Sequence, residues 1–237
     1  DTNANGIYED GEVGVAGVVV NVLDADGNII GSDTTNADGS YLVDQLLPDD
    51  YQVQFVLDSL IGDWNISPQN QGGDDSIDSD ADDSGLTAFT TLDSDEFDPN
   101  WDLGIYQDAT IGDQVWYDDN GDGINDADVT DQDGFYLFEN VTPGDYYLVI
   151  TTSEGQVLTV IDTPGDDAED SDFDPTTGQT VITMLESGET DLTWDAGIII
   201  PGVVSISDPC ICEAILIWRN RYGRSYAWRN LDDPCSE

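Results

Sequence analysis

The chain has 237 residues, with 52 Asp and Glu against four Lys and Arg, no histidine, and a formal net charge of −48. That charge excludes nucleic acid, anionic membranes and heparin-like polymers as partners. An apolar content of 38%, with ten Tyr and six Trp, argues against an acidic coil and for folded cores, with room for two domains. No apolar run approaches the roughly 18 residues of a membrane span, so no membrane insertion is expected. No signal peptide is visible and the chain opens inside a repeat, as a processed product or an incomplete chain would.

All four cations are arginines, Arg219, Arg221, Arg224 and Arg229, and all three cysteines, Cys210, Cys212 and Cys235, share the same C-terminal stretch. Residues 1–200 therefore contain no base at all. Such a body repels itself unless cations neutralise it. Its acids are grouped in ordered clusters rather than spread as a coat, which favours bound cations over a halophilic surface.

Self-comparison divides the chain into two copies of one module. Asp1, Asn3, Asn5, Gly6 and Ile7 recur as Asp118, Asn120, Asp122, Gly123 and Ile124, at an offset of 117. Thr35, Asp38, Gly39 and Tyr41 recur as Thr130, Asp133, Gly134 and Tyr136, at an offset of 95. The cluster Asp74, Asp75, Asp78 and Asp80 recurs as Asp166, Asp167, Asp170 and Asp172, and Trp101-Asp102 through Gly104 as Trp194-Asp195 through Gly197. The change in offset means that repeat 2 lacks 22 residues present in repeat 1. That interval contains Val18, Val20 and Val22, a turn from Asp24 to Asn28, and Ile29-Ile30, which reads as a β-hairpin. Conversely, the run Ile111 to Trp116 has no counterpart before Asp1. Each copy is short of strands that the other retains.

The remaining segments also read as strands. Tyr51, Val53 and Phe55 alternate, as do Tyr146, Leu148 and Ile150, and turn signals at Ala37 to Gly39, Pro48 to Asp50 and Pro143-Gly144 separate them. The expected fold is all-β: two tandem Ig-like β-sandwich modules at 1–107 and 108–200, followed by a hairpin-like tail at 201–237.

The acid clusters have the chemistry of hard-cation ligands. Asp1, Asn3, Asn5, the carbonyl of Ile7 and Glu12 fall at positions 1, 3, 5, 7 and 12 of a twelve-residue calcium loop, with Gly6 at the sharp turn. In the second copy Asp118, Asn120, Asp122 and Ile124 fit, but position 12 is Val129, so Asp126 or Asp128 would have to substitute. Carboxylates crowded as at Asp74, Asp75, Asp78 and Asp80, or at Asp166, Asp167, Asp170 and Asp172, repel by about 1 kcal/mol per pair even in high dielectric. Each group can recruit the following Asp102 or Asp195. Ca²⁺ is the expected cofactor, and a solvated acidic turn is the alternative at each cluster.

These residues, together with Gly14, Gly17 and Val18 and the run Ile111-Gly112-Asp113 through Trp116, resemble the SdrD B-like and collagen-adhesin B-type (Cna B-type) repeats of bacterial surface adhesins. The resemblance covers roughly residues 1–200. It implies extracellular or cell-surface β-sandwich stalk modules stiffened by calcium. Some members of the wider family form Lys–Asn isopeptide bonds, which a chain without lysine cannot make.

The tail lies outside the resemblance. Ala214 to Arg229 reads as two apolar-aromatic strands around Tyr222-Gly223, with an amphipathic helix as the rival reading that Gly223 disfavours by about 1 kcal/mol. A two-residue turn places Ile217 opposite Trp228 and Cys210 opposite Cys235, and a longer loop would select Cys212 for the disulfide. Because repeat 2 is short of a hairpin and the tail is a spare one, Ile215, Ile217, Trp218, Arg219, Arg221, Arg224, Tyr226, Trp228 and Arg229 are the candidate assembly residues. They would complete repeat 2 in cis, or complete a neighbouring copy head to tail by strand addition. The expected function is a structural subunit of an extracellular filament or stalk that binds copies of itself. The alternative is a monomeric binding fragment of a larger adhesin. An enzyme is disfavoured, since no histidine is present and the cysteines have no base partner. Asn65 and Asn140 head possible glycan sequons.

Overall fold

In the computed structural model the described residues are 1–125, 134–161, 168–201, 215–220 and 225–228, the last two segments as backbone and register. They divide into two compact units, Asp1–Asp108 and Ala109–Glu237. Apart from one 3-10 turn at Leu57–Ser59, the regular structure described is all β.

Unit 1 contains repeat 1. Its main sheet has the order β2-β1-β3-β5, built from β1 (Val19–Leu23), β2 (Ile29–Thr34), β3 (Asp49–Val56) and β5 (Leu86–Leu92). A second, two-stranded sheet pairs β4 (Asn65–Ile66) with β6 (Ile105–Tyr106). Strand β3 forms because Tyr51, Val53 and Phe55 alternate and bury one face. The turn between β1 and β2 is closed by the Asp24 carboxylate, which accepts from the backbone N–H of Asp26 and Asn28, while Gly27 takes a positive φ of 80°.

Unit 2 repeats this plan. Strands β7 (Ala109–Tyr117), β8 (Phe135–Val141), β10 (Val157–Leu158), β12 (Thr190–Asp191) and β13 (Ala196–Ile199) form one sheet, ordered β10-β13-β7-β12 with β8 also on β7. The other sheet has the order β11-β9-β14-β15, from β9 (Gly144–Thr151), β11 (Thr183–Leu185), β14 (Ile215–Asn220) and β15 (Ser225–Trp228).

Several hydrogen bonds recur at equivalent positions in the two units. The Val53 amide donates to Thr87 Oγ1 at 3.0 Å, and that of Leu148 to Thr180 Oγ1 at 2.9 Å. Phe55 N–H donates to the Gly85 carbonyl and Ile150 N–H to the Gly178 carbonyl, both at 2.8 Å. Trp101 Nε1 donates to Asp98 and Trp194 Nε1 to Asp191. Strand β9 is therefore the counterpart of β3.

The tail hairpin lies beside β9 in the position that β1–β2 takes beside β3. Val20 stands opposite Phe55, and Leu216 opposite Ile150, the counterpart of Phe55. Val22 stands opposite Val53, and Trp218 opposite Leu148. Both inner strands are antiparallel to their partners and carry an antiparallel outer strand. The helical alternative for this segment is thus replaced by two strands. The register differs from the one expected: Leu216, not Ile217, faces Trp228, and Ile217 faces Ala227. A two-residue turn does not fit that pairing, and a one-residue slip exchanges the faces of every side chain on one strand. Cys210, Cys212, Cys235, Arg221, Arg224 and Arg229 lie outside the described residues.

Candidate metal centre

In each repeat three sequence-distant elements meet. The first is the loop at Asp1. Its carboxylate accepts from the amides of Asn5 at 3.1 Å and Gly6 at 2.7 Å, which wraps the chain round the side chain, and Gly6 permits this with a φ of 80°. Asn3 Oδ1 and Asn5 Oδ1 accept from the amides of Asn5 and Ile7. The Glu12 carboxylate folds back to accept from Thr2 N–H at 2.6 Å and Glu9 N–H at 3.0 Å. Repeat 2 reproduces the wrap: Asp118 accepts from Gly121 at 2.6 Å and Gly123 at 2.8 Å, Asn120 from Asp122, and Asp122 from Ile124.

The second element is the later acid cluster. Ile7 bridges Asp78 and Ile124 bridges Asp170, both antiparallel. The amides of Ser79 and Ser171 donate to the carbonyls of Gly6 and Gly123. The third is the Trp-Asp-x-Gly segment. The Asp102 amide donates to Asp80 Oδ2 at 2.7 Å, and that of Asp195 to Asp172 Oδ2 at 2.6 Å, with return bonds from Asp80 and Asp172. Gly104 and Gly197 each donate to the hydroxyl of Ser79 and Ser171. The close packing depends on glycine at 197, where a Cβ would lie 2.4 Å from Thr159.

The result is a set of buried acids without a base among them. Asp78, Asp80, Asp118, Asp170, Asp172 and Asp195 are all buried. Carboxylate oxygens of Asp75, Asp78 and Asp80 lie within 4.8 Å of one another. Burial, and then the neighbouring carboxylates, push Asp80 up to about 7 and Asp102 up to about 6. Asp195 is pushed up to about 8, first by burial and then by Asp113 and Asp172. The buried Oδ1 of Asp78 and Oδ2 of Asp195 have no hydrogen-bond partner. Orphaned carboxylate oxygens in a cage of oxygen donors suit a hard cation such as Ca²⁺.

Asp74 turns away from the cage and accepts from Ser76 instead. Asp126, Asp166 and Asp167 lie outside the described residues. Three participants carried no ligand-like spacing in the sequence. Glu9 receives the side-chain amides of Asn3 and Asn5 at 2.8 and 3.1 Å. The Thr159 hydroxyl donates to Asp118 Oδ2. Asp113, on β7, raises Asp195 and has no repeat 1 counterpart; its only signal was membership of the Ile111 to Trp116 run.

A chain of two such β modules, each with an acid cage at one strand-loop junction, defines a class of tandem acidic β repeats. The SdrD B-like domain model matches residues 1–105 and 127–198, and the chain belongs to that family. It is 34% identical over 221 residues to serine-aspartate repeat-containing protein D of Staphylococcus aureus strain Newman, covering 83% of this chain and 16% of that protein. It is 31% identical over 196 residues to serine-aspartate repeat-containing protein F of Staphylococcus epidermidis strain ATCC 12228, covering 73% of this chain and 12% of that protein. The chain therefore spans less than a fifth of the length of either relative.

Proposed function

We infer that this chain is a calcium-stiffened stalk segment of a bacterial cell-surface protein, a structural rather than catalytic module. The observation that carries this reading is a buried acid oxygen without a hydrogen-bond partner in each repeat, Asp78 Oδ1 in the later acid cluster of repeat 1 and Asp195 Oδ2 in the Trp-Asp-x-Gly segment of repeat 2. Family membership and the relatives named above support the surface location and the adhesin context. In repeat 1 the loop carboxylate and amides of Asp1, Asn3 and Asn5, with Asp75, Asp78, Asp80 and Asp102, would hold the ion. In repeat 2 the holders would be Asp118, Asn120, Asp122, Asp170, Asp172 and Asp195. A bound divalent ion supplies the positive charge that residues 1–200 lack and pins the N-terminal loop to two later segments, which stiffens each module. Calcium titration into chelated protein, followed by calorimetry, tests this. Saturable binding with a raised melting temperature is expected, and an unchanged melt in EDTA contradicts it.

A second reading is favoured by the pairing of β14 with β9. The hairpin is joined to β13 only through residues 200–214, a stretch that when extended reaches about 50 Å. Donated to a neighbour instead of to its own repeat 2, the same hairpin would build a head-to-tail filament from copies of this chain. Light scattering and electron microscopy of purified protein decide between a monomeric segment and a polymer. A monomer at all concentrations removes the filament reading and leaves the stalk reading intact.

A further inference from the structure

The outer face of the repeat 1 sheet β2-β1-β3-β5 is almost without charge, in a chain whose formal net charge is −48. Antiparallel pairing fixes which residues share that face. Val20 and Phe55 pair and belong to the core, so the next pair, Asn21 with Gln54, faces away from it. Gln52 follows on the same outward side of β3, directly opposite Phe89 of β5. Ser32 of β2 lies opposite Asn21. Of the strand acids, Asp33 pairs with Val20 and so lies on the other side, where it accepts from the Leu42 amide. Asp50 marks the edge of the face, and the Thr91 hydroxyl donates to it.

The carboxamides on this face are held in fixed orientations. Asn21 Nδ2 donates to Gln54 Oε1 at 3.1 Å, which turns Gln54 Nε2 away from Asn21. Gln52 Nε2 donates to the Thr87 carbonyl at 2.7 Å, which leaves its Oε1 on the opposite side of the amide. The face thus offers an oriented donor and an oriented acceptor, two residues and about 7 Å apart on one strand. Beside Gln52, about 5 Å across the sheet, Phe89 stands 56% exposed. Repeat 2 lacks this pattern. Where repeat 1 has Gln52, Gln54 and Phe89, it has Tyr147, Val149 and Ile182, and Ile217 takes the register position of Asn21. The fold itself therefore does not require amides and a phenyl ring there.

We propose that this face of repeat 1 binds a neutral polysaccharide, with one pyranose ring lying on Phe89 and its hydroxyls held by Gln52 and Gln54. A sugar hydroxyl both donates and accepts, so it suits a donor and an acceptor set side by side. The C–H face of a pyranose suits the negative face of a phenyl ring. Successive pyranose units rise by about 5 Å, close to the strand spacing of about 4.8 Å, so an oligosaccharide crossing the strands meets positions at its own repeat. Other occupants fit less well. The acids around the face repel an anionic polymer. Strands β1 and β3 are interior to the sheet, so they offer no backbone edge for strand addition. Four strands by five residues make about 300 Å², well short of the roughly 800 Å² per partner of a stable protein interface. A second copy would also bring the same negative charge, which an uncharged ligand does not. This role is additional to that of a stalk and uses neither the metal cage nor the tail.

Electrophoresis of the 237-residue protein, kept in calcium, through native gels containing a soluble polysaccharide tests this. The neutral polymers are a mixed-linkage β-glucan, a galactomannan and dextran, and hyaluronate is the anionic control. At least one neutral polymer should retard the protein, and hyaluronate should not. Gln54→Ala and Phe89→Ala should each weaken the retardation roughly tenfold, as the loss of one hydrogen bond or one aromatic contact would. Gln54→Glu, equal in size but without the donor, should weaken it too, with an unchanged melting temperature. Ile182→Ala, at the repeat 2 position equivalent to Phe89, should leave it as it was. No retardation by any of the three neutral polymers, undiminished retardation of the Phe89→Ala and Gln54→Glu proteins, or an equal loss in Ile182→Ala would each overturn the proposal. So would light scattering that finds a dimer abolished by Phe89→Ala, since a second copy would then occupy the face. Since calcium is present in every arm, failure here leaves the metal reading untouched.

Discussion

Tyr41 and Tyr136 hold the same place in the two repeats, each giving its hydroxyl to the backbone carbonyl of the following tryptophan, Trp101 or Trp194. Yet Tyr136 is 2% exposed and belongs to a core that includes Ala109, Ile111, Phe173, Leu185 and Ile198, while Tyr41 only borders a core built on Val18, Val20, Val53 and Phe55. The difference follows from which element each copy lacks. Repeat 2 lacks a hairpin at the edge of a sheet, and β14 and β15 occupy that edge. Among the described residues of repeat 1 no strand stands where β7 stands in repeat 2, and Tyr41, Val43 and Leu46 are half-buried where Tyr136, Phe138 and Val141 are buried. A strand with neighbours on both sides buries more apolar area than one at an edge.

Removing calcium should break the comparison most strongly, because both repeats carry the cage. A ligand present at a thousand times its dissociation constant stabilises by about 4 kcal/mol, so chelation should lower each transition by roughly 15 °C or more. Differential scanning calorimetry with and without EDTA reads both repeats at once.

Ile111→Ala should come next. Its side chain is fully buried, and such a truncation costs about 2–5 kcal/mol, confined to repeat 2. In repeat 1, Val43→Ala changes the counterpart of Phe138, the residue that pairs with Ile111 in repeat 2; Val43 is only half-buried, and its truncation should cost under about 1 kcal/mol. Equal costs, measured by urea unfolding, would mean that the two positions are packed alike.

Asp195→Asn should change sign with conditions. In chelator it removes a buried charge and should stabilise repeat 2 by about 1 kcal/mol, whereas in calcium it removes a ligand and should destabilise by a similar amount. The same substitution at Asp102, which is less buried, should show a smaller version of both effects.

The smallest effect is that of pH on chelated protein. Asp80, Asp102 and Asp195 have folded pKa values above the unfolded one, at about 7, 6 and 8. Each binds its proton more tightly folded than unfolded. Their stabilising contribution is complete below about pH 4 and is lost as pH rises through 6 to 8. The melting temperature in EDTA should therefore climb as pH falls from 8.5 to 5.5, and calcium should flatten that slope.

Much of this was legible in the chain. Two copies, their strands, and the change of offset that locates the missing hairpin all follow from residue spacing, because period-2 alternation at Tyr51 or Tyr146 has one structural meaning. The pairing of the later acid cluster with Asp102 or Asp195 was legible in their order, but the Asp1 loop reads as a separate twelve-residue site closed by Glu12, because no spacing template joins it to Asp78. Other features were hidden for identifiable reasons. Asp74 and Asp75 look alike in sequence, and only the local turn with Ser76 separates them. Asp113 had no repeat partner to flag it. The tail register depends on how many residues its loop uses, and Tyr222-Gly223 admits more than one answer.

The most direct test of the account concerns β9, where the tail hairpin is claimed to stand in for the hairpin repeat 2 lacks. Since Leu148 and Ile150 point their amides toward the β11 side, alternation turns those of Tyr147, Val149 and Thr151 toward β14. Hydrogen exchange on the full chain and on a chain ending at residue 201 should show these three amides protected in the first and exposed in the second. Gln52, Gln54 and Val56, which face β1 in repeat 1, should stay protected in both. Unchanged exchange at Tyr147, Val149 and Thr151 after truncation would contradict the claim.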